Sequence, residues 1–243
     1  MFLDFSKAFD TINHDILLYK LSHYGIRGKA LEWFRSYLRD RKQFVSVQNE
    51  NSSTKIVHCG VPQGSLLGPL LFIIYINDFH KSSDRLSFIH FADDSSIFFS
   101  HPNPNYLLGT INTELNHICD WIKANKLSLN LQKTNFMLFS NSISTLPGQV
   151  MLNNTVIEKV TQTKFLGVTI DEKLTWKPHT DNICKIISRN IGIINKLKSY
   201  FPIRILLTLY STLILPFLNY GVLAWGNSLI TQLQKILLLQ KKQ

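Results

Sequence analysis

Apolar residues in the first two thirds of the chain alternate between short runs and helical spacing, which predicts strands and helices in turn. Phe2–Phe5 is a short apolar run typical of a strand, and Thr11 or Asn13 can cap a helix that extends to Tyr24. We predict further helices at 31–38, 70–78 and 108–122. We predict further strands at 44–47, 56–57, 86–91, 97–99, 136–139, 150–152, 156–157 and 165–170.

From Lys177 onward the pattern is only helical, and this part of the chain is also strongly basic. The 243 residues carry a formal net charge of +10. Residues 1–172 hold 16 Lys and Arg against 15 Asp and Glu, whereas residues 173–243 hold 10 basic residues against Asp181 alone. The division predicts a nearly neutral module followed by a basic module that binds a polyanion.

One long stretch without charge raises the question of a membrane. Residues 205–234 carry no charged side chain and are numerous enough to span a bilayer. Polar residues, Pro216, Gly221 and Gly226 divide the stretch into shorter amphipathic pieces. We therefore expect buried or interface helices here, and no membrane partner.

Aspartates interrupt two of the apolar strand sequences. Asp4 lies within Phe2–Phe5, and Asp93 and Asp94 follow Phe91 in a predicted turn that extends to Ser96. An aspartate at a strand end is usually a turn former, and that is the more common explanation for each site alone. Taken together, carboxylates on two neighbouring strands can converge on divalent cations, which also bind phosphate oxygens.

A loop rich in glycine, Gly60–Pro69, precedes the predicted helix at 70–78. Its three glycines allow close approach of a ligand to the backbone, and the Gln63 amide can both donate and accept hydrogen bonds. The alternative is a purely structural loop before a helix, which is the favoured interpretation from the loop alone.

These segments together resemble the reverse transcriptases. The string Phe2–Asp10, the loop Gly60–Pro69 and the string Phe91–Asp94 occur in the order of motifs A, B and C of that family. Phe165–Val168 resembles the primer grip. The segment Pro216–Gly221, followed by Trp225 and Gly226, is similar to the thumb of non-LTR retrotransposon enzymes of the jockey and related LINE types.

The resemblance implies an α+β fold. A palm at 1–172, with motifs A to E, would consist of an antiparallel sheet backed by helices around a ferredoxin-like core. An all-helical thumb at 173–243 would follow. A group II intron maturase shares motifs A to C, but the thumb pattern disfavours it.

The resemblance also implies catalytic residues. Asp4 and Asp93 would be the principal ligands of two Mg²⁺ ions, with Mn²⁺ as an alternative ion, and Asp94 would complete the acidic triad. The backbone carbonyl of Phe5 would assist. Lys133 resembles the motif D lysine that protonates the pyrophosphate leaving group. A solvated surface lysine is an equally weighted alternative.

Substrate contacts follow from the same resemblance. Phe9 matches the aromatic steric gate that favours dNTPs over NTPs, and Gln63 and Gly64 would contact the incoming nucleotide and the template. The residues expected to contact template and primer are Phe165, Leu166, Gly167, Lys185, Arg189, Lys196 and Lys198.

We therefore expect an RNA-directed DNA polymerase that uses an RNA template, a DNA primer and dNTPs. Only Met1–Leu3 precede Asp4, so the fingers region that precedes motif A in complete reverse transcriptases lies outside the chain. We expect a part of a longer polyprotein with fingers and endonuclease, intracellular and acting in the nucleus. The alternative is a catalytically inactive fragment that retains only nucleic-acid binding.

Overall fold

The computed structural model describes residues 1–140 and 145–241, and these divide into two compact units. The first unit comprises residues 1–136 and 144–159, and the second comprises residues 137–143 and 160–243. The predicted boundary at 172/173 falls within the second unit. The mixture of helices and sheets confirms the predicted α+β class.

The first unit has four α-helices in its described residues. They are α1 (His14–His23), α2 (Gly28–Leu38), α3 (Leu67–Ile76) and α4 (Pro104–Ala124). Its strands are β1 (Phe2–Asp4), β2 (Lys42–Gln43), β3 (Ser46–Val47), β4 (Glu50–Asn51), β5 (Lys55–Ile56), β6 (Ser87–Phe91), β7 (Asp94–Phe98), β8 (Asn135–Phe136), β9 (Met151–Leu152), β10 (Thr155–Val156) and β11 (Glu158–Lys159). The helix α1 begins as predicted, because the Asn13 side chain accepts a hydrogen bond from the Ile16 N–H.

A five-stranded sheet in the order β11-β8-β1-β7-β6 positions the residues of interest. The strand β1 pairs with β7 and β8 in antiparallel fashion, and β6 pairs with β7 in the same way. The apolar core of this unit includes Leu17, Phe72, Tyr75, Phe79 and Leu115, all completely buried.

The second unit consists of a hairpin and helices. The hairpin is formed by β12 (Gln162–Phe165) and β13 (Val168–Asp171). The helices are α5 (Lys177–Leu197), α6 (Ile203–Leu213), α7 (Leu215–Asn219), α8 (Val222–Trp225) and α9 (Ile230–Gln240). A separate core includes Ile183, Ile187, Ile214 and Trp225. The prediction that only helices follow Lys177 is confirmed over the described residues.

Several predicted elements are wrong in detail. Of the strand predicted at 44–47 only residues 46–47 are strand, and of the strand predicted at 136–139 only Phe136 is strand. The turn predicted from Ala92 to Ser96 contains only Ala92 and Asp93, and Asp94 already begins β7. Pairing on both sides of β7 holds Ser95 and Ser96 in the middle of the sheet, where both are buried. The single strand predicted at 165–170 is a hairpin, because Leu166 and Gly167 reverse the chain with φ of +46° and +82°.

The long stretch without charge forms separate helices, as its polar and proline positions predict. Within residues 1–140 and 145–241, no helix combines the length and the apolar character that crossing a membrane requires.

Candidate active site

The register between β1 and β7 brings the predicted carboxylates together. Asp4 is the direct partner of Asp94, as Leu3 is of Ser95. Directly opposite residues of an antiparallel pair project to the same face of the sheet. Asp93 lies in the two-residue turn that leads into β7. All three carboxylates therefore lie at one end of the β1–β7 strand pair, although they come from two segments almost ninety positions apart. We call this end of the sheet the acidic edge.

Electrostatics at this edge favour a cation. Burial raises the pKa of Asp94 above its ordinary 3.8, and the neighbouring charges of Asp93 and then Asp4 raise it further. Among the described residues no set of three or more His, Cys, Asp or Glu side chains already converges on one point as a metal cage. Mg²⁺ usually takes only one or two protein carboxylates together with phosphate oxygens, so this set of oxygen donors fits the ion.

The backbone on either side of Asp4 is held by the segment that follows α4. The Asn130 N–H donates to the Asp4 carbonyl at 2.8 Å, and the Ser6 N–H donates to the Ser128 carbonyl at 2.8 Å. Phe5 is paired with Leu129 between these two bonds. In such a pair the flanking residues exchange the hydrogen bonds, so the pairing does not use the Phe5 carbonyl. The carbonyl predicted to assist metal binding is thus left out of this contact.

Lys133 lies in the turn between α4 and β8 and is exposed. The next residue, Thr134, is buried, and its hydroxyl accepts a hydrogen bond from the Asp4 N–H at 3.3 Å. Lys133 is therefore the direct neighbour in sequence of a residue that contacts the Asp4 backbone. Sequence reasoning missed Thr134 and Asn130, since a polar segment between a helix and a strand has the composition of any loop.

The glycine-rich loop packs against the segment that follows β1. The Val61 N–H donates to the Phe9 carbonyl at 2.9 Å, and Gln63 Nε2 donates to Asp10 Oδ1 at 2.8 Å. Gly60 has a φ of +81°, and a Cβ there would lie 2.7 Å from the Asp10 carbonyl oxygen. Only glycine allows this approach. The contact brings the predicted nucleotide-binding residues Phe9, Gln63 and Gly64 into one region.

The ring of Phe9 is partly buried, with its centroid 4.7 Å from that of Phe72. Because Phe72 is completely buried in α3, it provides a fixed support for the Phe9 ring. The position of the predicted steric gate is therefore set by the core of the first unit.

A histidine lies on the strand beside the acidic turn. His90 Nδ1 is 3.0 Å from Ser95 Oγ, across the β6–β7 pair. Burial lowers the pKa of His90, and the nearby His80 lowers it further. A neutral imidazole here offers no charge compensation to the three aspartates.

The predicted primer-contacting residues lie in the second unit. Phe165, Leu166 and Gly167 form the end of the β12–β13 hairpin. Lys185, Arg189 and Lys196 are exposed on α5 at spacings of four and seven, so they share one helix face. Ile183, Ile187 and Ile191 occupy the buried face of the same helix. Lys198 follows the helix and lies away from the basic face.

Comparisons with known proteins place the chain in a family. The sequence profile of the family described as "Reverse transcriptase (RNA-dependent DNA polymerase)" matches residues 1–170. The chain is 29% identical over 259 residues to the probable RNA-directed DNA polymerase from transposon BS of Drosophila melanogaster, covering 100% of this chain and 28% of that protein.

Two further relatives come from other mobile elements. The chain is 28% identical to the RNA-directed DNA polymerase from mobile element jockey of Drosophila melanogaster, covering 99% of this chain and 27% of that protein. It is 27% identical to the retrovirus-related Pol polyprotein from type-1 retrotransposable element R1 of Bradysia coprophila, covering 97% of this chain and 24% of that protein. The chain thus spans only about a quarter of the length of these relatives.

Proposed function

We propose, since this chain belongs to the reverse transcriptase (RNA-dependent DNA polymerase) family, that it is the catalytic segment of a non-LTR retrotransposon polymerase that copies RNA into DNA. The observation that carries the proposal is the register that places Asp4 opposite Asp94, with Asp93 in the adjoining turn. The larger proteins that resemble the chain are RNA-directed DNA polymerases by name.

Asp4 and Asp93, with Asp94 and the Phe5 carbonyl, would hold two Mg²⁺ ions. Such a pair stabilises the attacking and leaving oxygens of an in-line phosphoryl displacement. Burial first, and then the charges of Asp93 and Asp4, raise the pKa of Asp94, and a bound cation would relieve the repulsion among these carboxylates, which supports this role. The chain's own contribution is to fix the carboxylates at the acidic edge. The site is then already ordered before the reaction, and no free energy is spent on ordering it.

Phe9, Gln63 and Gly64 would form the nucleotide pocket. The Phe9 ring, supported by Phe72, would occupy the space of a ribose 2′-hydroxyl. The hydrogen bond from Gln63 to Asp10 fixes the loop beside that ring. Lys133 would protonate the pyrophosphate as it leaves.

In this proposal residues 1–172 are the palm, and the helical residues 173–243 are the thumb. Template and primer would contact Phe165, Leu166 and Gly167 at the hairpin, and the basic face of α5. Lysine and arginine on an exposed helix face bind phosphates without regard to sequence. Fingers and endonuclease segments of a longer polyprotein would complete the enzyme.

The decisive test is Asp93→Ala in a polypeptide that supplies a fingers segment. We expect Mg²⁺-dependent dTTP incorporation on an RNA template with a DNA primer to fall at least about a hundredfold, since a charge-stabilising group is lost. Asp84→Ala, which removes an exposed carboxylate elsewhere in the same unit, is the matched control. Activity that survives Asp93→Ala would defeat the metal assignment.

The alternative function is nucleic-acid binding without catalysis, and the basic face of α5 favours it independently of the carboxylates. Tight template–primer binding together with no extension by the wild-type polypeptide, at any Mg²⁺ or Mn²⁺ concentration, would establish that alternative.

A further inference from the structure

The hairpin turn of the second unit is bound by a residue from a distant helix. Tyr220 follows α7, and its hydroxyl donates to the Leu166 carbonyl at 2.6 Å, across 54 positions of the chain. Leu166 has a φ of +46°, a conformation that residues other than glycine adopt uncommonly. A backbone held in that conformation needs support from its surroundings.

Two glycines allow the hairpin and the α7–α8 connection to approach each other. A Cβ on Gly167 would lie 3.0 Å from Tyr220 Cε1, and a Cβ on Gly221 would lie 2.9 Å from Val168 Cγ2. Gly221 also has a φ of +64°. The close fit therefore depends on the absence of a side chain at both positions.

The same connection is fixed from behind. Trp225 is buried, and its Nε1 donates to the Tyr220 carbonyl at 2.8 Å. The Trp225 ring packs edge to face on His179 of α5, with centroids 5.8 Å apart. His179 Nδ1 in turn accepts a hydrogen bond from the Thr169 N–H of the hairpin. These contacts hold Tyr220 in place. They reach the hairpin at Leu166 and Gly167, which connect its two strands, and at Thr169 of β13.

Burial of the Tyr220 ring does not explain its position. The side chain is 57% exposed, so its packing contributes little to the core. The phenol hydroxyl makes the hydrogen bond to the reversed turn, and the ring edge lies against Gly167. This geometry is that of a side chain that orients a neighbouring loop.

We propose that Tyr220 is a positioning residue for the primer terminus, acting through the Leu166 carbonyl to hold the turn at 165–167. The inference rests on the proposed function, in which this turn contacts the primer. Tyr220 itself does not touch the reacting atoms in this scheme. The expected signature is a defect in the use of template–primer that spares the use of the nucleotide.

The test is Tyr220→Phe, which removes the hydroxyl and keeps the ring. In the polypeptide with a fingers segment, we expect the KM for template–primer to rise about three- to tenfold, as for loss of one hydrogen bond, with the KM for dTTP unchanged. Tyr200→Phe is the matched control, because Tyr200 is 80% exposed in the bend between α5 and α6. Equal KM values for the two variants would overturn the proposal.

A second measurement does not require catalysis. The chain alone is mixed with a template–primer whose 3′-terminal base is 2-aminopurine. We expect a fluorescence change with the wild type and with Tyr200→Phe, and its loss with Tyr220→Phe. Gly221→Ala should act in the same direction, because its Cβ displaces Val168. If the wild-type polypeptide with fingers extends no primer, the proposed function fails, and the fluorescence probe still tests the role of Tyr220. A fluorescence change in Tyr220→Phe and Gly221→Ala equal to that of the wild type would refute that role.

Discussion

Asp94 carries a negative charge that its surroundings disfavour. It lies directly opposite Asp4 and next to Asp93, and burial as well as both neighbours raise its pKa. Proteins keep such a repulsive arrangement where a ligand compensates it.

The raised pKa of Asp94 sets the sign of its effect on stability. The ionised carboxylate is less favourable in the folded than in the unfolded chain, so stability is lost as the pH rises from 3.8 through the folded-state pKa. We expect Asp94→Asn to raise the Tm at pH 7 without Mg²⁺, and the difference to vanish below pH 3.8. Asp84→Asn serves as the control in thermal unfolding, and an Asp94→Asn variant less stable than the wild type at pH 7 would contradict the prediction.

Phe9 allows a separate test of nucleotide choice. A smaller side chain opens the space beside Phe72, so Phe9→Val should raise ribonucleotide incorporation relative to dNTP incorporation by about tenfold or more. Phe99→Val, at another partly buried aromatic of the same core, controls for general loosening. Unchanged sugar selectivity in primer extension would rule out the steric-gate role.

At the scale of elements, α5 has a buried apolar face and an exposed basic face. Its isoleucines pack in the core of the second unit, while Lys185, Arg189 and Lys196 face solvent. Asn190 Nδ2 donates to the Leu213 carbonyl at 2.6 Å and fixes the rotation of the helix against α6. The orientation of the basic face is therefore set by buried contacts.

Neutralising this face should weaken nucleic-acid binding and its dependence on salt. We expect the triple change Lys185→Gln, Arg189→Gln and Lys196→Gln to reduce the slope of log K against log salt by about 2 to 3, as three phosphate contacts are lost. Fluorescence anisotropy with an RNA–DNA duplex measures the slope. A triple change of the exposed Lys81, Lys123 and Lys126 to glutamine is the charge-matched control, and an equal loss there would show that only net charge matters.

At the scale of the whole molecule, the residues that the structure describes form two hydrophobic cores, one in each unit. The first surrounds residues such as Leu17 and Phe72, and the second surrounds Ile187 and Trp225. Separate cores can unfold as separate cooperative steps. The acidic edge depends on the first core, and the hairpin and basic helix on the second.

Calorimetry can test this division. Ile187→Ala empties a completely buried position and should destabilise the second unit by about 2 to 5 kcal/mol, lowering one transition and leaving the other in place. Leu17→Ala should lower the other transition. Ile193→Ala, at an exposed position of α5, should change neither. A single transition that moves equally with both core variants would contradict the division.

The sequence by itself determined most of the helices and the order of the motifs. Apolar spacing predicted α1, α4 and the helices after Lys177, because periodicity and capping are local properties of the chain. The motif strings predicted Asp4, Asp93 and Asp94 as catalytic residues, and the structure brings all three to the acidic edge. Their metal and catalytic roles stay predictions.

Only the tertiary structure decided which distant residues meet. Thr134 contacts the Asp4 backbone across 130 positions, and Tyr220 contacts Leu166 across 54. It also decided that Ser95 and Ser96 belong to a buried strand, where their own composition predicted a turn. Contacts of this kind follow from strand register and helix packing, which the whole core selects and no local pattern encodes.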